Sequence, residues 1–127
     1  MQNKHLFEYA VLRIVPRVER EEFLNVGVIL YCRKPAFLGV RFKLEKEKLL
    51  QFFPILCMET VQAHLISLQK ISEGIADAGP IAFLEPASRF RWLTAKRSTI
   101  IQSSAVHPGL CDDPETTLEK LFVDLVE

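Results

Sequence analysis

One arginine lies where an apolar strand is expected, and its charge needs a partner. The run from Leu6 to Val15 is rich in aliphatic and aromatic residues, but it includes Arg13. Burying a guanidinium without compensation costs several kcal/mol. Its partner is either a carboxylate of the chain, Glu19 or Glu22, or an oxyanion of a ligand such as phosphate, which the planar guanidinium binds through paired hydrogen bonds.

An amide and a glycine interrupt a second apolar run, from Glu21 to Cys32. Asparagine is disfavoured inside a strand, so Asn25 is expected either to cap a backbone group or to belong to a binding site. Gly27 removes a side chain where another backbone or a ligand must approach, or it marks a β-bulge. If the two runs pair as strands, Arg13 can lie near Asn25, and the sheet becomes the expected position of a site.

Basic and aromatic residues are interleaved in the segment from Arg89 to Thr99. Such a mixture can bind single-stranded nucleic acid by stacking and phosphate contact, and it also fits a half-buried edge strand. Near its end, Arg97 and Ser98 belong to a compact cluster that could bind an oxyanion through cations, hydroxyl groups and backbone N–H groups. Arg91 adds a further cation to this predicted site.

No strong catalytic or metal-binding motif accompanies these residues. The sequence has no phosphate-binding glycine loop, no cysteine pair at zinc spacing and no His-Glu-x-x-His or Gly-x-Ser-x-Gly motif. Ser103, Ser104 and His107 could supply parts of a nucleophilic site, but only the fold can decide their geometry. We therefore favour a non-catalytic role, without metal or cofactor. The predicted ligand-binding residues are Arg13, Glu22, Asn25, Arg91, Arg97 and Ser98.

Hydrophobic periodicity and turn residues predict an α+β fold in a single domain over residues 1–127. We expect a mainly antiparallel sheet of about five strands, with a helical hairpin and a C-terminal helix packed on it. The predicted strands are Leu6–Val15, Glu21–Cys32, Phe37–Leu44, Arg89–Thr94 and Thr99–Ala105. The predicted helices are Glu45–Phe53, Met58–Ala76 and one that begins at Pro114 after Asp113, and His107–Gly109 is predicted to be a turn.

Alternation within the strand Glu21–Cys32 predicts two different surfaces, because successive side chains point to opposite faces. Its even-numbered positions from Leu24 onward are all apolar and are expected in the core. The odd-numbered positions are expected on the face that carries the site. The simplest register with the next strand pairs Leu30 with Leu38 and Val26 with Phe42, and the helices are expected on one face of the sheet.

Composition limits the partners and the location that we expect. The 127 residues include sixteen basic and sixteen acidic ones, so the chain as a whole attracts neither nucleic acid nor an anionic membrane. The three cysteines are an odd number and lie far apart, which favours reduced thiols. No segment approaches the roughly 18 apolar residues that span a bilayer. We therefore expect a cytoplasmic protein that does not bind membranes.

Several motifs resemble those of a known bacterial family. They are Tyr9-Ala-Val-Leu-Arg13, Glu22-Phe-Leu-Asn-Val-Gly-Val28, Phe90-Arg-Trp-Leu-Thr-Ala95, Arg97-Ser-Thr99 and Asp113-Pro114. Together they are similar to the domain-of-unknown-function family numbered three thousand and thirty-seven, and the resemblance covers nearly the whole chain. The chain departs from that pattern at Glu21, where relatives often carry glycine, and at Lys96, where they often carry proline.

The resemblance implies a small cytosolic bacterial protein with no established activity, often encoded beside a HipA-like kinase-fold protein. Two hypotheses follow. In the first, the chain is a non-catalytic partner or regulator of such a kinase-like protein, which it contacts through the loop Arg17–Glu22 and the segment Arg89–Thr99. In the second, it binds a phosphate-bearing ligand, either a nucleotide or nucleic acid, and this site could be hydrolytic.

Overall fold

The computed structural model describes residues 4–54, 56–95 and 99–127. Within these ranges the strands are β1 (His5–Ile14), β2 (Leu24–Cys32), β3 (Phe37–Phe42), β4 (Ile101–Ser103) and β5 (His107–Cys111). The α-helices are α1 (Lys46–Phe52), α2 (Met58–Glu73), α3 (Pro86–Leu93) and α4 (Pro114–Leu125), and short 3₁₀ helices cover Val18–Arg20, Ala76–Ala78 and Pro80–Phe83. The predicted α+β fold with a five-stranded antiparallel sheet is confirmed.

β1 is the central strand of the sheet and is paired along both of its edges. β2 follows one edge, and β3 continues the sheet beyond β2. β5 and β4 share the other edge, because β5 pairs with the first half of β1 and β4 with its last residues. Between them, Ser104 makes two bonds with Val11: its backbone N–H donates to the Val11 carbonyl, and its hydroxyl oxygen accepts from the Val11 N–H, both at 2.8 Å.

A β-bulge in β2 overturns the prediction that its even positions share one face. Leu12 pairs with Gly27 and Arg13 pairs with Asn25, so Val26 is an extra residue without a partner on β1. One extra residue reverses the alternation of side chains along a strand. Before the bulge the even-numbered side chains therefore face one layer, and from Val28 onward they face the other.

Helices cover both faces of the sheet, so the expectation that they pack on one face is wrong. Ile29 packs with the buried residues of α2 and α3, whereas its neighbour Val28 packs with Leu118 and Phe122 of α4. Adjacent strand residues point to opposite faces, which places α2 and α3 on one side and α4 on the other. The parts of β1 and β2 that lie between these helices are therefore buried on both faces.

The register of β2 with β3 differs by one residue from the predicted one. Gly27 pairs with Phe42, and Leu30 pairs with Gly39. A Cβ atom added to Gly27 would lie 2.8 Å from the Arg41 carbonyl oxygen, so the glycine lets the β3 backbone approach closely. This difference of one residue in the register does not bury Arg41, because its exposed side chain reaches Glu119 of α4.

α1, α2 and α4 form where local signals predict them. In α2 the buried positions Val61, Leu65, Leu68 and Ile71 lie on one face, and the helix ends at Gly74, which has a φ of 72°. α4 begins at Pro114 after an extended Asp113, as predicted. These helices need little tertiary information to be recognised.

Two predicted elements are wrong, and β5 stands in the sheet in place of one of the predicted strands. The segment Arg89–Thr94 was expected to be a strand, but residues 89–93 lie in α3, where Phe90 and Leu93 are buried at helical spacing. His107–Gly109 was expected to be a turn, but it begins β5. Proline and glycine are tolerated there because β5 lies at an edge, and the ring of Phe7 covers Gly109 where a side chain would otherwise be.

Replacing Glu21 by glycine is expected to stabilise the fold. Glu21 has a φ of 56°, a left-handed conformation that costs a residue with a Cβ atom about 1 kcal/mol. Glu21→Gly should raise the free energy of unfolding in urea by about this amount. Glu21→Ala is the control, since it removes the carboxylate but keeps the Cβ atom; an equal gain in the alanine variant would contradict the explanation by backbone strain.

Adding one methyl group at Gly27 is expected to destabilise the protein by about 2 kcal/mol. The new Cβ atom would meet backbone and Cβ atoms of β3, which cannot move without breaking the ladder. Gly39→Ala is the matched control, because its nearest neighbours are the ends of the Phe37 and Leu118 side chains, which can shift. Urea unfolding should show a clearly larger loss for Gly27→Ala, and equal losses would argue against the close approach.

Candidate functional site

Three polar side chains form a row across the sheet on the face that α4 partly covers. Arg13 of β1 pairs with Asn25 of β2 on one side and with Gln102 of β4 on the other. Directly paired residues point to the same face, so these side chains are neighbours. We call Asn25, Arg13 and Gln102 the polar row. The structure therefore brings together two of the predicted site residues, Arg13 and Asn25.

Asn25 caps a helix end, which was one of its two predicted roles. Its Nδ2 donates to the carbonyl oxygen of Leu125, the last residue of α4, at 3.2 Å. The last carbonyl groups of a helix have no partner within the helix, so this bond ties α4 to the sheet. Oδ1 is buried and has no hydrogen-bond partner among the described residues. Asn25 also lines a small cavity of about 20 Å³.

Arg13 lies over an aromatic ring and makes no ion pair with a described carboxylate. Its Cζ atom is 4.1 Å from the centroid of the Phe23 ring, which is a cation–π contact. The two carboxylates proposed as its partners pair within their own loop instead: Glu22 with Arg20, and Glu19 with Arg17 at 3.7 Å. The buried Nε of Arg13 has no hydrogen-bond partner in the part of the chain that the structure describes.

Arg13 lies in the wall of an open groove of about 440 Å³. The groove is lined by Arg13, Val15, Glu21, Phe23, Gln102 and Ser103. The amide nitrogen of Gln102 donates to the Thr99 carbonyl at 3.0 Å, so this hydrogen-bond donor is already used. Glu21 contributes the one carboxylate of this lining, so the groove presents a cation and an anion together.

Arg41 on β3 is a strand arginine that, unlike Arg13, has a carboxylate partner. It too lies over a phenylalanine, with Cζ 5.3 Å from the Phe122 ring centroid. Its Nε also reaches Glu119 at 3.0 Å, so its charge has a carboxylate. Arg13 has the ring but lacks a carboxylate among the described residues, which distinguishes it chemically from Arg41.

The other predicted site residues do not join the polar row. Glu22 forms an ion pair with Arg20 in the loop. Arg91 is exposed on α3, and this helix packs against the opposite face of the sheet. Arg97 and Ser98 lie outside the described residues. Their roles as ligand-binding residues stay predictions.

The serine and histidine candidates make local contacts and do not form a nucleophile–base pair. The Ser103 hydroxyl donates to the Ser104 carbonyl, and the Ser104 hydroxyl donates to the Ala105 carbonyl, both at 2.9 Å. His107 packs against the ring of Tyr9, with the ring centroids 5.4 Å apart. Among the described residues there is no cluster of three or more metal-ligating side chains.

The resolved pKa shifts lie away from the polar row and have local causes. Burial raises the pKa of the Cys32 thiol. The Thr60 hydroxyl donates to Cys57 at the start of α2 and lowers the pKa of that exposed thiol. The Thr116 hydroxyl likewise lowers the pKa of the Asp113 carboxyl. These three groups lie in the core or at the start of a helix, so their pKa shifts do not indicate acid–base chemistry in the groove.

Sequence analysis missed two residues that shape the groove, Phe23 and Gln102. Phe23 belongs to the odd-numbered positions of the predicted strand Glu21–Cys32, and the structure shows that its ring covers Arg13 and remains 47% exposed. Gln102 is a polar residue in a predicted strand, and only its pairing with β1 makes it part of the row. A polar residue at mid-strand is the signal that could have identified it.

By its fold the chain is an α+β protein with an antiparallel sheet between two helical layers. An arginine lies in the wall of an open groove at one end of this sheet. The chain belongs to the family described as protein of unknown function (DUF3037), whose model matches residues 9–126. This confirms the family that the motifs indicated. No curated protein and no solved structure matches the chain. No helix within the described ranges is long and apolar enough to cross a membrane.

Asn25→Ala is expected to destabilise the fold by about 1 kcal/mol, because it removes the hydrogen bond from Nδ2 to the Leu125 carbonyl that ties α4 to the sheet. Urea unfolding measures this loss, and a free energy of unfolding equal to that of the unchanged chain would contradict the cap.

Proposed function

We propose that the protein binds a small ligand with an oxyanion group, such as a nucleotide phosphate, in the groove beside Arg13. One observation carries the proposal: a strand arginine faces an open groove and makes no ion pair with a described carboxylate. An oxyanion that binds there would supply the negatively charged acceptor that no described carboxylate gives this guanidinium.

The geometry of the groove favours binding in a fixed orientation. The contact with the Phe23 ring, 4.1 Å from Cζ to the centroid, restricts the position of the guanidinium, a group whose N–H donors suit the paired oxygens of an oxyanion. Gln102 and Ser103 add polar groups on the same wall. Glu21 repels a second anionic group and can accept a hydrogen bond, so the groove suits a ligand that combines one oxyanion with a donor, rather than a polyanion.

Arg13→Gln is expected to weaken such binding about 10- to 100-fold. Hydrogen bonds to a charged group contribute roughly 1.5–3 kcal/mol, and about 1.4 kcal/mol corresponds to a factor of ten. Calorimetric titration at low ionic strength with inorganic phosphate, mononucleotides and a short RNA measures the effect. A ligand at a hundred times its Kd should also add about 2.7 kcal/mol to the free energy of unfolding.

Arg41→Gln is the matched control for this titration. It removes a strand arginine of the same sheet face that already has a carboxylate and a ring, so ligand binding should persist. The proposal fails if none of the probes binds or shifts unfolding, or if Arg13→Gln binds as tightly as the unchanged chain.

A second candidate function is a non-catalytic contact with a kinase-fold protein, as the resemblance implies. The favouring observation is a groove of about 240 Å³ between the charged loop and the end of α1. Arg17, Arg20 and Glu22 lie on one side, and Phe52, which is 62% exposed, lies on the other. Such a combination of an apolar anchor and a charged rim is typical of protein contacts.

Co-expression with the neighbouring kinase-fold protein, followed by size exclusion, tests this second function. A stable complex should co-elute, and Phe52→Ser should break it, whereas Phe83→Ser, another exposed phenylalanine, should not. Separate elution at micromolar concentrations would count against a kinase-fold partner without affecting the proposal for the Arg13 groove.

A further inference from the structure

Two leucines lie side by side on an uncovered part of the sheet. Leu6 of β1 pairs directly with Leu110 of β5, so their side chains point to the same face. They are 64% and 66% exposed, more than most large apolar residues of the described chain. Paired apolar side chains exposed to this extent on a sheet face are typical of surfaces that bind a partner.

The helices leave this surface open because they cover only part of β1. Leu6 faces the same layer as Ala10, Leu12 and Ile14, which are buried under α2 and α3. Towards the start of β1 the layer ends, and Glu8, the next residue on this face, is also exposed. The two leucines are therefore at the end of the hydrophobic layer and not in a gap within it.

Cations border the leucines. A groove of about 400 Å³ beside Leu6 is lined by Lys4, His5, Leu6, Glu8, Tyr31, Arg33 and Lys34. Its lining thus has three basic side chains and one carboxylate. Lys4 pairs with Asp112 at 3.1 Å, but neither Arg33 nor Lys34 makes an ion pair with a described residue. The surface therefore combines an apolar pair with unneutralised positive charge.

The edge of β5 disfavours one occupant, a second copy of this chain added strand to strand. β5 pairs with β1 and with no other described strand, so its outer edge is free. Pro108, the second of the five residues of β5, has no N–H group, and proline on an edge strand is a feature that disfavours strand-to-strand pairing. Recognition through the side chains of the open face is the remaining mode.

We infer that this face, which we call the Leu6–Leu110 face, is a docking site for an acidic segment of another protein. The segment would place at least one large apolar side chain against the two leucines and its carboxylates beside Arg33 and Lys34. The positive charge of the surface favours a partner with negative charge, and the leucine pair supplies the apolar contact. This inference does not depend on the Arg13 groove, because the two surfaces share no residue.

Peptide arrays test the inference with defined probes. One array holds twelve-residue peptides with leucine or phenylalanine among aspartates and glutamates, and a matched array replaces every acid by lysine or arginine. We expect binding only in the acidic array, weakened by raising the salt from about 50 to about 500 mM because screening shortens the reach of charge. Binding confined to the basic array, or to neither array, overturns the inference.

Variants locate the binding on the surface. Leu110→Ser, and the double change Arg33→Glu with Lys34→Glu, should each weaken the best acidic peptide at least tenfold by fluorescence anisotropy. Phe83→Ser and the double change Lys46→Glu with Lys48→Glu are the controls, since they alter exposed apolar and basic residues elsewhere. Urea midpoints equal to that of the unchanged chain show that each variant is folded.

The oligomeric state tests the other possible occupant, a second copy of this chain. Sedimentation of the unchanged chain at micromolar concentrations should show a monomer. A dimer that Leu110→Ser dissociates would show that a second copy covers the Leu6–Leu110 face, and it would overturn the inference. Equal peptide affinity in all variants would do the same.

Discussion

Pairing along both edges and covering on both faces make β1 the strand on which the rest of the structure depends. β2 lies on one side of it, and β4 and β5 share the other. Polar side chains in such a strand can only be satisfied by direct neighbours or where the covering ends. Arg13 lies near the end of β1, where a groove opens, and this position explains how an arginine is accommodated in so apolar a run.

The single extra residue at Val26 decides which side chains meet around Arg13. Without the bulge, Asn25 would lie on the α2–α3 side together with Ile29, buried among apolar residues. With it, Asn25 points to the α4 side, pairs with Arg13 and caps the last carbonyl of α4. The bulge therefore aligns the polar row and fixes the end of α4 at the same time, which is a common use of bulges next to functional sites.

The two candidate surfaces of the sheet lie at opposite ends of β1 and on opposite faces. The Arg13 groove is on the α4 side at the end of the strand, and the Leu6–Leu110 face is on the α2–α3 side at its start. At both ends of β1 a part of the sheet face remains open, as the exposed Leu6 and the groove beside Arg13 show. A small ligand and a protein segment could therefore be bound without competing for any residue.

Local sequence signals determined the strands β1 to β3 and the helices α1, α2 and α4. These features follow from periodicity, caps and prolines within a few residues of each other. Only the tertiary structure decided that Phe90 and Leu93 lie on a helix, that Pro108 and Gly109 lie on an edge strand, and that Glu22 bonds to Arg20 and not to Arg13. A short apolar segment fits either a helix or a strand, and a bulge or an ion pair depends on residues distant in sequence, so these choices are made by packing across the whole sheet.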